Sequence, residues 1–250
     1  MRGLRVENLS KTFGGLTVAK DINLSIEPGE RVALIGPNGA GKTTLVNLIT
    51  GLLSPSSGRV SLDGADITGQ STPARARLGL IRTFQVTRLF PEMTAREHLA
   101  LALLQKAGRV GVLHRDLWAD ERISVEAQHI LERIDLGAFE NVPVTELAYG
   151  QQRLLEFGIS LALAPRVLLL DEPAAGVPSS GTSIILSALD SLPADLGVLM
   201  IDHDMDLVFR FAQRIIVMER GSILLDGAPQ SVAADPLVRK AYLGSWADAR

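Results

Sequence analysis

Between Gly36 and Thr44 the chain reads GPNGAGKTT, an order of residue types suited to holding phosphate. Glycines at 36, 39 and 41 let the main chain wrap closely, so that successive N–H groups converge on an anion. A helix starting just after the loop adds the positive end of its dipole. In that arrangement Pro37, Asn38, Gly39, Ala40 and Gly41 line the phosphates, and Lys42 reaches the β- and γ-phosphates. The Thr43 hydroxyl is placed to ligate Mg²⁺, and Thr44 to support the α-phosphate.

Two further groups complete a possible reaction centre. The run VLLLDE ends in Asp171 and Glu172, and in an open α/β sheet the carboxyl ends of the strands face the ligand crevice. Asp171 then suits a metal ion, and Glu172 suits polarising an attacking water. His203 follows the apolar run VLMI in the same way and could sense or stabilise a γ-phosphate. The other histidines, His98, His114 and His129, fall in helical or loop patterns and are expected to be structural or exposed.

The elements that must carry these groups are legible as patterns. Val32–Ile35, Val167–Leu170 and Val198–Ile201 are short continuous apolar runs, each followed by polar or glycine residues and then a helical pattern. They predict a parallel sheet with crossover helices. Leu4–Val6, Thr17–Val18, Ile22–Ile26 and Arg59–Leu62 predict short strands in an antiparallel layer at the N-terminal side. Residues 92–163 read as mostly helical. Thr94 with Glu97 forms a capping-box pattern ahead of an apolar face of Ala95, Leu99, Ala102 and Leu103. A second stripe runs through Ile123, Ala127, Ile130, Leu131 and Ile134. A third helix from about Gly150 turns Leu154, Leu155, Ile159 and Ala162 inward. Ile215–Met218 and Ile223–Leu225 predict a hairpin turning at Arg220–Gly221, with short helices following to Tyr242.

Composition narrows the function classes. The 250 residues are 46% hydrophobic and 21% charged, with a net charge of −3. No basic field points to nucleic acid as a partner, and the scattered basic residues around Arg75–Arg77 and Arg82–Arg88 are expected on the solvated surface. There is no cysteine, which excludes disulfides, cysteine-bound zinc and thiol catalysis. The N-terminal residues show no apolar signal region, and no run approaches the roughly 18 apolar residues of a membrane span. Work at a membrane would require another chain.

Taken together these motifs resemble the ABC transporter ATPase family across nearly the whole chain. Leu147-Ala148-Tyr149-Gly150-Gln151-Gln152 is similar to that family's signature segment, lying between the phosphate loop and the acid pair. Gln85, in RTFQ, matches the glutamine that contacts Mg²⁺ and the lytic water. Phe13 matches an early aromatic that stacks on adenine, and His203 the switch histidine. The segments RTFQVTRLFPEMTAREHL, LAYGQQR, LDEPAAG and IDHDMDLV look like the ATPases of branched-chain amino-acid importers, whose relatives carry urea, amides or other amino acids.

The resemblance implies an α/β fold. It would have a P-loop NTPase core with a parallel sheet, an antiparallel β layer and a helical sub-domain carrying the signature. Residues 1–85 and 164–250 would form the core and layer, and 86–163 the sub-domain. It implies ATP and Mg²⁺ as cofactors, with Thr43, Gln85 and Asp171 at the metal and Glu172, His203, Gln85 and Lys42 in catalysis. It also implies a head-to-tail dimer with itself or a paralogue, in which Ala148, Gly150 and Gln151 serve an ATP held by the partner. The segment Gln85–Glu92 would receive an integral-membrane permease at the cytoplasmic face of the inner membrane, with a solute-binding protein acting indirectly.

Three features depart from the family pattern. Ala148 stands where the signature has serine, removing a hydroxyl donor. Pro178 stands where the loop after the acid pair carries Asp or Asn, followed by Ser179 in place of proline. Ile159 stands where many relatives have arginine. These motivate alternatives: a non-catalytic nucleotide-binding partner of a paralogous ATPase, or the ATPase of another system such as urea or lipid transport. An ABC ATPase without a permease and a P-loop kinase fit less well. The first class carries paired ATPase units or long inserts, and the second would leave LAYGQQ without a purpose.

Overall fold

In a computed structural model of the chain, residues 2–83, 89–109, 120–177 and 182–240 are described. The N-terminal region forms one long hairpin rather than separate short strands. β1 (Leu4–Phe13) and β2 (Leu16–Ile26) pair antiparallel and turn at Gly14-Gly15, with Phe13 opposite Leu16. The register shifts between Val6 and Leu9 and again between Leu9 and Lys11, with Asn8 and Asp21 at positive φ. Such bulges insert extra residues without ending the pairing. They bring Leu9 and Ile22 inward but break the alternation by which a strand is recognised. β4 (Ser57–Leu62) pairs with the other edge of β1, and β5 (Ala65–Asp66) completes a sheet of order β2-β1-β4-β5.

The apolar runs become the parallel sheet. Its order is β10-β9-β3-β8-β7-β6, built from β3 (Arg31–Ile35), β6 (Leu80–Arg82), β7 (Val167–Asp171), β8 (Gly197–Ile201), β9 (Arg214–Glu219) and β10 (Ser222–Gly227). Only the β9–β10 hairpin is antiparallel within it. Val32, Ala33, Leu34 and Ile35 are all completely buried, as expected for strands covered on both faces. The three-residue strand β6 is too short to show a period. α1 (Lys42–Thr50) adds Leu45, Leu48 and Ile49 to one core shared with Leu9, Ile22, Val60, Leu34 and Ile216.

One basic residue belongs to this interior and not to the surface. Arg75, on α2 (Thr72–Arg77), is 1% exposed. Its guanidinium donates to the carbonyls of Leu48, Ile49, Thr68 and Gln70. Leu48 and Ile49 lie in the last turn of α1, where unpaired carbonyls and the negative end of the helix dipole favour a cation. Arg77, two residues on, is exposed as expected.

Contacts divide the chain into two units: Met1–Arg82, Arg166–Glu172 and Ala194–Arg250 in one, Thr83–Pro165 and Pro173–Pro193 in the other. The second therefore also takes in α6 (Thr182–Asp190), which packs on α5 (Tyr149–Ala162). Its other helices are α3 (Ala95–Lys106), α4 (Glu121–Arg133) and α5 (Tyr149–Ala162). Both halves of the capping box form at α3: Thr94 Oγ1 accepts from Glu97 N–H, and Thr94 N–H donates to Glu97 Oε2 at 2.7 Å. Ala95, Leu99, Ala102 and Leu103 are buried, as are Ile123, Ala127 and Leu131 of α4. On α5 the inward face is Leu154, Leu155, Gly158 and Ala162. Ile159 is only half-buried. Gly158 takes the close approach instead, since a Cβ there would lie 2.6 Å from Ile134 Cδ1.

Candidate active site

β3 delivers the chain into the phosphate loop at Gly36. Its φ is 148°, and an added Cβ would sit 2.2 Å from the carbonyl oxygen of Met218 on β9, so only glycine fits. Gly41, at φ 103°, is the N-cap of α1 and offers no capping side chain. The first intrahelical bond is Leu45 N–H to Gly41 O, at 2.9 Å. The N–H groups of Lys42, Thr43 and Thr44 therefore have no acceptor within the helix, and the first turn carries no acidic residue. An anion with several oxygens fits this bare helix start.

The loop itself is anchored. Ala40 is buried, its N–H donates to Pro37 O at 3.1 Å, and its carbonyl accepts from Gly221 N–H at 2.9 Å. Gly221 O in turn accepts from Lys20 N–H of β2 at 2.8 Å. Ala40 thus serves as the loop's fixed point, while Asn38, Gly39 and Thr43 are exposed. Lys42 Nζ folds back onto the loop, donating to Gly36 O at 2.6 Å and Pro37 O at 3.0 Å. Partial burial pushes its pKa down, and the Glu172 carboxylate opposes that shift.

Asp171 closes β7 in register with Ile201 of β8. Glu172 follows at φ 48°, a left-handed conformation uncommon for a side chain of this kind, with its N–H donating to Ile201 O at 2.8 Å. His203 Nδ1 lies 3.6 Å from Glu172 Oε1, and the imidazole is 72% exposed. The phosphate loop, Lys42, Asp171, Glu172 and His203 all belong to the first unit. No cluster of three or more His, Cys, Asp or Glu side chains suited to a metal occurs among the described residues. The oxygen donors present, the Asp171 carboxylate and the Thr43 hydroxyl, are of the kind that suits a hard dication such as Mg²⁺.

Two residues of this centre escaped sequence reasoning. Arg82, expected at the surface, is mostly buried: its guanidinium donates to Asp171 Oδ2 at 2.5 Å and to Asn47 Oδ1 at 2.8 Å. Asp202 is 4% exposed, and its Oδ1 accepts from the N–H groups of His203 and Asp204. Its Oδ2 is buried with no hydrogen-bond partner, and burial pushes this carboxyl's pKa up. The acid therefore shapes the turn that presents His203. The only sequence signal for either residue was its place beside a strand end.

The remaining expected residues belong to other elements or fall outside the described residues. Phe13 is 48% exposed at the β1–β2 turn, with Lys11 Nζ 4.9 Å from its ring centre. Ala148, Gly150 and Gln151 begin α5 in the second unit. Ala148 N–H donates to Gln151 Oε1 at 2.8 Å, and alanine has no oxygen to return that bond. A Cβ on Gly150 would meet nothing within 4 Å, so its surface is open. Tyr149 Oη donates to Ala175 O at 3.2 Å. Gln85, His114, Pro178 and Ser179 fall outside the described residues.

A phosphate loop after β3 of a parallel sheet, an acid pair at the end of β7 and a signature helix define an ATPase of the ABC transporter type. The ABC transporter family profile matches residues 19–175, and the chain belongs to that family. Among curated proteins it is similar to the high-affinity branched-chain amino acid transport ATP-binding protein BraF of Pseudomonas aeruginosa. The two are 42% identical over 248 residues, covering 96% of this chain and 97% of the relative. The corresponding protein LivG of Escherichia coli is 40% identical over 252 residues, covering 96% and 97%. Among solved structures, an ATP-binding cassette of an ABC transporter in its ADP conformation superposes with a TM-score of 0.83. It is 32% identical and covers 98% of this chain and 99% of that one.

Proposed function

We propose that this chain hydrolyses ATP to drive an importer of branched-chain amino acids or related amino acids and amides, as one half of a head-to-tail ATPase dimer seated on a permease. The observation that carries hydrolysis is Glu172 beside His203, 3.6 Å apart, in the unit that holds Lys42 and the phosphate loop. Likeness to BraF and LivG over nearly the full length supports the cargo class.

Each group then has a defined task. The free N–H groups of Lys42, Thr43 and Thr44 bind phosphate oxygens, and the Lys42 ammonium leaves its two carbonyl partners for the β- and γ-phosphates. Glu172 orients and polarises the attacking water, and His203 holds charge that develops on the γ-phosphoryl oxygens. Thr43 and Asp171 would hold Mg²⁺, joined by Gln85 in the family's pattern. When bound, the ion would supply neutralisation of phosphate charge. Phe13, already exposed, would stack on the base. Ala148, Gly150 and Gln151 would meet the partner's nucleotide, with Gly150 giving its N–H. Phe90, 56% exposed and held by its N–H to buried His98 Nε2 at 2.8 Å, supports a permease-facing role for its segment. Such partners would hold the chain peripherally at the cytoplasmic face of the membrane; no described helix is long and apolar enough to cross one.

Glu172→Gln is expected to keep ATP binding and to lower steady-state hydrolysis by roughly 10²-fold or more, the range of a lost general base. Undiminished hydrolysis would remove Glu172 from the role. A non-catalytic partner role gains support from Ala148, and single-turnover measurement separates it: a pure clamp releases no ADP. For the cargo, ATPase activity of the reconstituted complex should rise with a binding protein loaded with leucine. Stimulation by urea or a lipid instead would refute the assignment.

A further inference from the structure

The guanidinium of Arg82 joins three elements that the reaction needs held together. Arg82 ends β6, Asp171 ends β7, and Asn47 lies on α1, whose first residue is Lys42. One terminal nitrogen of Arg82 donates to Asp171 Oδ2 at 2.5 Å and the other to Asn47 Oδ1 at 2.8 Å. The side chains of Arg82 and Asp171 are only 14% and 15% exposed. Burying a cation here carries a desolvation cost that an aliphatic residue at a strand end would avoid. A planar fork gives something in return that an aliphatic side chain cannot. It holds Oδ2 of the carboxylate with one terminal nitrogen and, with the other on Asn47, ties that carboxylate to the helix that presents the phosphate loop.

The fork also sets a charge. A guanidinium on one oxygen of Asp171 lies close to wherever a dication would meet that carboxylate, and like charges disfavour each other. We propose that Arg82 is a positioning residue: it orients Asp171 against α1 and holds down the affinity of the site for Mg²⁺, so that ordered geometry is gained at the expense of tight ion binding. The inference rests on the proposed metal role of Asp171.

The test titrates Mg²⁺ against a fixed concentration of a fluorescent ATP analogue bound to the purified chain, alongside steady-state ATPase assays and thermal melts. In Arg82→Met the half-saturating Mg²⁺ concentration should fall about tenfold while kcat falls about tenfold or more, an opposition of sign that general loosening does not produce. Arg82→Lys should keep the Mg²⁺ midpoint within about twofold, because the charge remains, yet lose turnover because an ammonium cannot span both acceptors. Asn47→Ala should lower kcat with an unchanged midpoint.

A midpoint that is unchanged or raised in a folded Arg82→Met protein overturns the proposal. If that variant does not fold, normal kcat in both Arg82→Lys and Asn47→Ala overturns it instead. Asp171→Asn separates the two levels. If it leaves the Mg²⁺ midpoint unmoved, the metal role of Asp171 is wrong. If it raises the midpoint while Arg82→Met has no effect, only the role of Arg82 fails.

Discussion

Replacing Arg75 by methionine would keep the buried stem and remove every donor. The guanidinium binds Gln70 O at 3.0 Å, Leu48 O at 2.8 Å, Ile49 O at 2.5 Å and Thr68 O at 2.7 Å. Leu48 O retains the N–H of Gly51, and Thr68 O and Gln70 O sit on residues that water can reach, so the buried carbonyl of Ile49 bears most of the loss. A stranded buried acceptor costs about 1–3 kcal/mol. For a chain of this size that corresponds to a fall in Tm of roughly 2–12 °C. Thermal melting followed by circular dichroism, at low and high salt, is the assay. Because the partners are carbonyls rather than carboxylates, the deficit should persist in salt, whereas an exposed ion pair would be screened. A fall below about 2 °C, or a deficit that salt abolishes, would refute the reasoning.

Two other outcomes follow from single groups. His98 is buried, accepts from Phe90 N–H at Nε2 and lies 2.9 Å from Thr94 O through Nδ1. Burial lowers its pKa below 6.5, so below pH 6.5 the unfolded chain binds more protons than the folded one. Stability should therefore fall as pH drops through 6.5 towards the folded-state pKa, and His98→Gln should flatten that slope in urea titrations. Gly36→Ala should cost roughly 2 kcal/mol or more and weaken nucleotide binding together, because its Cβ meets a main-chain carbonyl; calorimetric titration with unchanged affinity would exclude this.

The sequence exposed most where several constraints coincide at short range. Strand, glycine loop and helix run consecutively from Arg31 to Thr50, so Gly36–Thr44 was readable from spacing alone. The capping box at Thr94 and Glu97 was readable because both partners lie within one turn. What stayed hidden depends on distance. Arg82 and Asp171 are separated by 89 residues, and nothing local distinguishes a buried arginine from a solvated one. Arg75 likewise finds its acceptors on α1, 26 and 27 residues away. The β1–β2 hairpin was read as fragments because its bulges interrupt the two-residue period. Ile159 followed the helical period but yielded the close contact to Gly158, a residue that a hydrophobic pattern does not count.

The tip of the β9–β10 hairpin is unusual in what hangs on it. Exposed hairpin tips are ordinarily the places where a chain can be nicked, lengthened or reopened at little cost. Here Gly221 gives its N–H to Ala40 inside the phosphate loop and takes the N–H of Lys20 from the other sheet, while Arg220 beside it is fully open to solvent on its side chain, 92% exposed. A protease cut or a short insertion at Arg220–Gly221 would thus release the floor of the loop and its link to β2 together. For tagging, splitting or permuting this protein, that turn is the surface position to leave intact.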